Sequence, residues 1–308
     1  MTAHGKQADG YAMENGERRE QMGLLKRPTT LTQCKTEYGV LKDVIVCEPK
    51  HMTLRNMINE TQKKFKNEDI HIEIAMEQHH EFVRVLQKHG VNVHLLPVNE
   101  KYPEQVFTRD IGFTLGQTTF VADMAHDVRK GEENTLKEWL ELKGISYYNL
   151  VSDEIEGGDV IIDRHSIYIG ISNRTNMAAI EHIQRLLPEY EVIPVPFHPK
   201  YLHLDCVFNI VSPHEALIYP GVMNRKEEKL IASRYDLIEV TEEEQFTLGT
   251  NVLSIGHKRV ISLPVNTNVN EQLRKRGFDV IEVDITEIIK SGGSFRCCTM
   301  PLRREDDV

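Results

Sequence analysis

The chain has 308 residues, 40% hydrophobic and 27% charged, and 37 Lys and Arg against 47 Asp and Glu give a formal net charge of -10. That balance excludes a disordered chain, a collagen or a coiled coil. An acidic chain with no basic block suits neither nucleic acid nor an anionic membrane surface. No stretch approaches the roughly 18 consecutive apolar residues of a membrane span. The opening MTAHGKQADG lacks the apolar core of an export signal, so a cytoplasmic protein is expected. The five cysteines, Cys34, Cys47, Cys206, Cys297 and Cys298, include no CxxC spacing and read as reduced thiols.

Residues 1–38 are polar and turn-rich and read as an N-terminal arm of uncertain order, with a single domain over 39–308. A strand is expected around Val40–Val46, ended by Pro49. A helix over 70–89, closed by Gly90, precedes the strand VNVHLLP. Paired apolar runs around a polar turn then recur at 111–124, 160–172, 207–223 and 252–264. Helical patterns lie at 131–144, 176–189 and 269–277, the last two followed by the strands EVIPVPF and DVIEVDI. The residues just before the hairpins, Asp110, Asp159, Asp205 and Asn251, are spaced by 49, 46 and 46 positions. One more such step reaches Ser294–Cys297 in GGSFRCCTMPL. A period near 45 containing hairpin, helix and strand signifies stacked supersecondary units. The last strand is expected to pair with the strand at 40–48 and close a ring, which removes exposed sheet edges. The alternative is an ordinary α/β sheet with coincidental spacing.

The polar outliers share one phase of this repeat. FTRD (107–110), EGGD (156–159), HLD (203–205) and GGSFRC (292–297) each precede a hairpin or the last strand. In a radially repeated fold, equal phase means equal distance from the axis, so Asp110, Glu156, His203, Asp205 and Cys297 should meet in one pocket. Cysteine is the strong nucleophile of this set and histidine the proton carrier near neutral pH. Glu156 beside His203 should favour the imidazolium, which in turn should favour a Cys297 thiolate. Two further carboxylates, Asp110 and Asp205, suit a planar cation such as a guanidinium, which donates hydrogen bonds in a fork.

FTRD, EGGDV, HLDCVF and GGSFRCCTMP resemble, in matching order, segments of the guanidino-group modifying enzymes (penteins). This superfamily includes arginine deiminases, amidinotransferases and dimethylarginine dimethylaminohydrolases. The resemblance covers about 39–308 and implies a five-bladed α/β propeller of ββαβ repeats with a central active site. By position it implies Cys297 as nucleophile, His203 as general acid/base, Glu156 as its hydrogen-bonding carboxylate, and Asp110 and Asp205 as guanidinium-binding residues. The implied reaction forms a thiouronium on Cys297, which water converts to a ureido product or an acceptor amine removes. Hydrolysis is the expected outcome, amidino transfer the runner-up, and a non-catalytic propeller-like binding module the alternative of another class. The expected partner is a small guanidino substrate, with a homodimer only a family-level expectation.

Some positions depart from the pattern. Asp205 follows deiminases and amidinotransferases and counts against a methylated substrate. In PEQVFTRD, Glu104 stands where deiminases resemble PNxxFTRD, and a carboxylate there favours an amine over a substrate carboxylate. Arg296 could depress the thiol pKa, bind a carboxylate or sit on the opposite face. Cys298 is the rival nucleophile, since neighbours in an extended segment face opposite ways. Asp159 reads as a turn or backbone-bonding residue, and Asn251 as a pocket-lining group without acid/base function. The loops 125–130 and 224–228 and the arm are candidate covers. His79, His80 and nearby glutamates are expected on a solvated helix face, so no metal site is expected. GxGxxG, GxxxxGK[ST] and GxSxG do not occur, and no cofactor is expected.

Overall fold

A computed structural model describes residues 31–306 apart from 55, 56, 58, 152 and 153. In chain order β1 (Val40–Val46) is followed by α1 (Glu60–Lys64), α2 (Ile72–Lys88) and β2 (Asn92–Leu95). The next unit is β3 (Gly112–Leu115), β4 (Thr118–Val121), α3 (Glu132–Leu142) and β5 (Tyr147–Asn149). Then come β6 (Val160–Asp163), β7 (Ser166–Ile171), α4 (Met177–Leu186) and β8 (Glu191–Pro196). The fourth unit is β9 (Phe208–Ile210), β10 (Glu215–Ile218), α5 (Arg225–Ala232) and β11 (Asp236–Glu239), with α6 (Glu242–Phe246) after it. The last is β12 (Leu253–Gly256), β13 (Arg259–Ser262), α7 (Thr267–Lys275) and β14 (Asp279–Glu282), before α8 (Thr286–Ile289) and β15 (Met300–Glu305).

Among the described residues these strands form five three-stranded sheets, each an antiparallel pair extended by a parallel third strand. β15 pairs antiparallel with β1, from Val40 opposite Glu305 to Ile45 opposite Met300, so the end of the chain completes its first blade. This is the five-bladed α/β propeller. Burial tells the inner strands from the outer ones. β3, β6, β9 and β12 are buried throughout, whereas β2 and β14 begin and end exposed. A strand buried on both faces needs an unbroken apolar run, and VIID and LSIG come close to that.

The helices occupy the crossovers that a parallel third strand requires. α2 buries Ala75, His79, Phe82 and Leu86, and Phe82 meets Phe295 edge to face at 5.2 Å between ring centres. His79 therefore faces the core rather than water, correcting the solvated face expected for it. Its spacing from Ala75, Phe82 and Leu86 puts it on the apolar stripe, and burial lowers its pKa to about 4. His80, one position on, is exposed and meets Glu48 at 3.1 Å. α5, in the segment expected as a loop, buries only Ile231, too thin an apolar stripe for periodicity to reveal.

Residues 1–30 of the expected arm lie outside the described residues. Residues 31–38 lie on the ring: Gln33 bridges Arg303, Cys34 bridges Gly116 and Thr36 bridges Asp163. Tyr38 donates to Asp163 Oδ1 at 2.7 Å, and Glu37 is buried. These are isolated bridges to three different blades, which no local periodicity announces. Among the described residues no helix is long and apolar enough to cross a membrane.

Candidate active site

Every blade delivers one site segment immediately upstream of its inner strand. Asp110 precedes β3, Glu156 precedes β6, His203 and Asp205 precede β9, Asn251 precedes β12 and Cys297 precedes β15. Short 3-10 turns, Gly157–Asp159 and Leu204–Cys206, make the bend into β6 and β9. Space here is tight. A Cβ on Gly158 would lie 2.6 Å from His203 Nδ1 and 2.8 Å from Asp110 Oδ1, and one on Gly293 would lie 2.3 Å from the Phe107 ring. Asp159 accepts the Leu204 N–H at 2.8 Å and the Ser172 hydroxyl at 2.6 Å, so it shapes the turn that carries His203.

Glu104, Asp110, His203, Cys206, Cys297 and the Gly292-Gly293 pair line one small cavity of about 10 Å³, room for about one water. It shares Leu202, Cys206 and Gly292 with an outer pocket of about 500 Å³. α1 and Tyr201 border that outer pocket. Of the candidate covers, 125–130 contributes Arg129 to the cavity wall, while 224–228 starts α5 on the fourth blade.

His203 Nε2 lies 2.8 Å from Glu156 Oε2, and its Nδ1 lies 3.5 Å from Asp110 Oδ1. Burial alone would lower the imidazole pKa, but Asp110, Glu156 and Asp159 outweigh it and raise it to about 9. Glu156 is held at about 2: its burial is outweighed by the bond to His203 and by Arg174 and Arg129. Asp110, Glu156 and His203 also bring ligand-type atoms within 4.8 Å of one another. Within this cluster Asp110 Oδ2 is ion-paired to Arg129 and Glu156 is bonded to His203, while Asp110 Oδ1 is buried with no hydrogen-bond partner among the described residues. Glu104 accepts from Gln62 at 2.6 Å and from Ser291 at 3.0 Å, and burial raises it to about 7.

Cys297 Sγ stands 3.6 Å from Asp205 Oδ2, and its backbone N–H donates to Asn251 Oδ1 at 3.0 Å. Burial, then Asp205 and Asp110, push the Cys297 thiol well above its ordinary value. The thiolate expected from the imidazolium is therefore not favoured in the protein alone: the imidazolium's charge is matched by Glu156 and Asp110, and Asp205 faces the sulfur. Cys298 is buried and likewise raised, chiefly by burial, and it does not line the cavity. Arg296 pairs with Asp205 at 2.7 Å and with Glu37 at 3.0 Å, the carboxylate-binding option of the three its position left open. Glu37, Arg129 and Arg174 carried no sequence signal, because each acts through an ion pair formed only in three dimensions.

Residues 48–304 match the family described as "N,N dimethylarginine dimethylhydrolase, eukaryotic". The chain belongs to that family. It is thereby a member of the guanidino-group modifying (pentein) superfamily. The "Uncharacterized protein YkgA" of Bacillus subtilis (strain 168) is 56% identical over 273 residues, covering 89% of this chain and 96% of the relative. The N-terminal domain of ArgZ, an arginine dihydrolase from the ornithine-ammonia cycle in cyanobacteria, superposes with a TM-score of 0.78 at 25% identity, covering 85% of this chain and 98% of that one. SxtG, an amidinotransferase from Microseira wollei, gives a TM-score of 0.77 at 19% identity, over 89% of this chain and 97% of that one, a likeness of fold.

Proposed function

We propose that this pentein hydrolyses a C–N bond of an unmethylated, arginine-like guanidino compound through a thiouronium on Cys297. The carrying observation is that Asp110, His203 and Cys297 line one cavity with Asp205 Oδ2 3.6 Å from the sulfur. A guanidinium entering beside Asp205 and Asp110 offsets the two carboxylates that keep the thiol protonated, so the substrate itself lowers the barrier to thiolate formation. The thiol proton has an acceptor in Asp205 Oδ2. The thiolate then attacks the central carbon of the planar cation, and the imidazolium of His203 protonates the departing amine. Neutral His203 next deprotonates water, whose oxygen displaces the sulfur; the released thiolate takes back the proton held on Asp205, and the proton on the product oxygen leaves with the ammonia or amine as its ammonium, giving a ureido product and free enzyme.

Asp205 bears on the substrate. A carboxylate fixed by Arg296 beside the sulfur accepts N–H donors, and two methyl groups on one guanidinium nitrogen remove both of its donors. Arginine-like compounds without methylation are therefore favoured over dimethylarginine, despite the name of the matched family. The test is mass spectrometry of protein quenched during turnover with a panel of guanidino compounds. The adduct expected on the peptide containing Cys297 is lost in Cys297→Ser and retained in Cys298→Ala. Ureido product formed without an added amine supports hydrolysis; product that appears only with one indicates amidino transfer. Absence of any adduct and any turnover across the panel favours a binding module.

A further inference from the structure

A buried chain of ion pairs runs from Glu37 through Arg296 to Asp205, and its first two members take no part in the steps above. Arg296 Nε and Nη2 donate to Glu37 at 3.3 and 3.0 Å, and Nη2 also donates to the Val160 carbonyl at 2.7 Å. Its Nη1 donates to Asp205 Oδ2 at 2.7 Å, the same oxygen that faces Cys297 Sγ. Glu37 belongs to the segment 31–38 that bridges three blades, and its backbone N–H donates to the Ile162 carbonyl at 3.0 Å. Arg109 stands 3.7 Å from its second oxygen. Burial opposes its ionisation, yet Arg296, Arg109 and Arg304 hold its carboxyl at about 2.

Building on the role given to Asp205 above, we propose that Glu37 is a positioning residue for Asp205, locking Arg296 so that Asp205 is held beside the sulfur with its negative charge still available to a planar cation. The charge arithmetic supports it. With Arg109 and Arg304 counted, Glu37, Asp205 and the three arginines carry one net positive charge, and without Glu37 they would carry two, so Glu37 keeps the surroundings of Asp205 from becoming more positive. Geometry acts the same way. With two of its nitrogens engaged by Glu37, the Arg296 fork presents only Nη1 to Asp205, which leaves acceptor capacity on both carboxylate oxygens. Among the described residues, Asp205 Oδ1 meets the Cys206 thiol, a weak donor, at 3.7 Å.

Two alkylating agents of one shape separate this role from general stability. Chloroacetamidine is a planar cation and chloroacetamide its neutral counterpart; in each case the sulfur displaces chloride and forms a thioether. The ratio of their rates at Cys297, read by peptide mass spectrometry on the full-length protein, reports the cation site. Wild type should prefer the cation. Equal wild-type rates would overturn the guanidinium-site reading itself, and this inference with it. Glu37→Gln should lower the ratio by about tenfold or more, with the neutral rate holding or rising as a negative charge leaves the surroundings of the sulfur. An unchanged ratio overturns the role of Glu37 and leaves the site reading standing. In an Asp205→Asn background, Glu37→Gln should have no further effect on the ratio; an effect of undiminished size would mean that Glu37 does not act through Asp205. If Glu37→Gln does not accumulate as folded protein, Glu37→Asp takes its place, with an intermediate ratio expected and an unchanged one counting against the proposal.

Discussion

Cys297 illustrates how neighbours, more than residue type, set chemistry. The sequence identifies a cysteine at the phase where every blade contributes a polar group, and the structure places it in the cavity with His203. Protonation was beyond reach from the sequence, because it depends on which carboxylate faces the sulfur and on how completely water is excluded. The consequence can be measured. Alkylation of Cys297 by neutral chloroacetamide should be slow at pH 7 and rise about tenfold per pH unit up to and beyond pH 9, as expected for a thiol whose pKa lies above the working range. A plateau beginning below pH 7 would mean a preformed thiolate. Asn251, the blade contribution without acid/base function, holds the Cys297 backbone N–H, so Asn251→Ala should reduce kcat with a smaller effect on KM.

At the scale of elements, the turns into the inner strands bear function and the outer helices bear stability. Gly158 is the clearest case, since any side chain there would press on both His203 and Asp110. Gly158→Ala should cut turnover at least about tenfold by displacing these groups, with far-UV circular dichroism little changed. By contrast, Asn176 caps α4 by accepting the Ala179 N–H at 3.0 Å. Asn176→Ala should cost about 1 kcal/mol of unfolding free energy, measured by denaturant titration, and leave turnover intact. The hairpins and longer helices were legible because their apolar periodicity reports burial directly. α1, α6 and α8 were not, each having five residues or fewer. Too little sequence is present in such segments for a period to show.

For the whole molecule, buried charge makes stability depend on pH in two directions. Glu37 and Glu156, at about 2 in the folded state against an ordinary value of 4.5, contribute stability that is present above pH 4.5 and lost as pH falls towards 2. Glu104 and Glu132, raised by burial to about 7, bind protons more tightly when folded, so their contribution declines between pH 4.5 and 7. His203, raised from 6.5 to about 9, contributes fully below pH 6.5 and loses its contribution as pH passes 9. The melting temperature should therefore peak in mildly acidic buffer and fall towards pH 9; a curve rising from pH 5 to 9 would contradict these assignments. By itself the sequence determined the repeat, the ring closed by its last strand, and the phase at which polar residues gather, because strand burial and blade length are written in local periodicity. Tertiary structure alone decided which charges pair. Glu37 with Arg296 joins residues 259 positions apart, Arg129 with Asp110 and Arg174 with Glu156 residues 19 and 18 apart, and the energy of each pair depends on separation and on the exclusion of water, which no local pattern encodes.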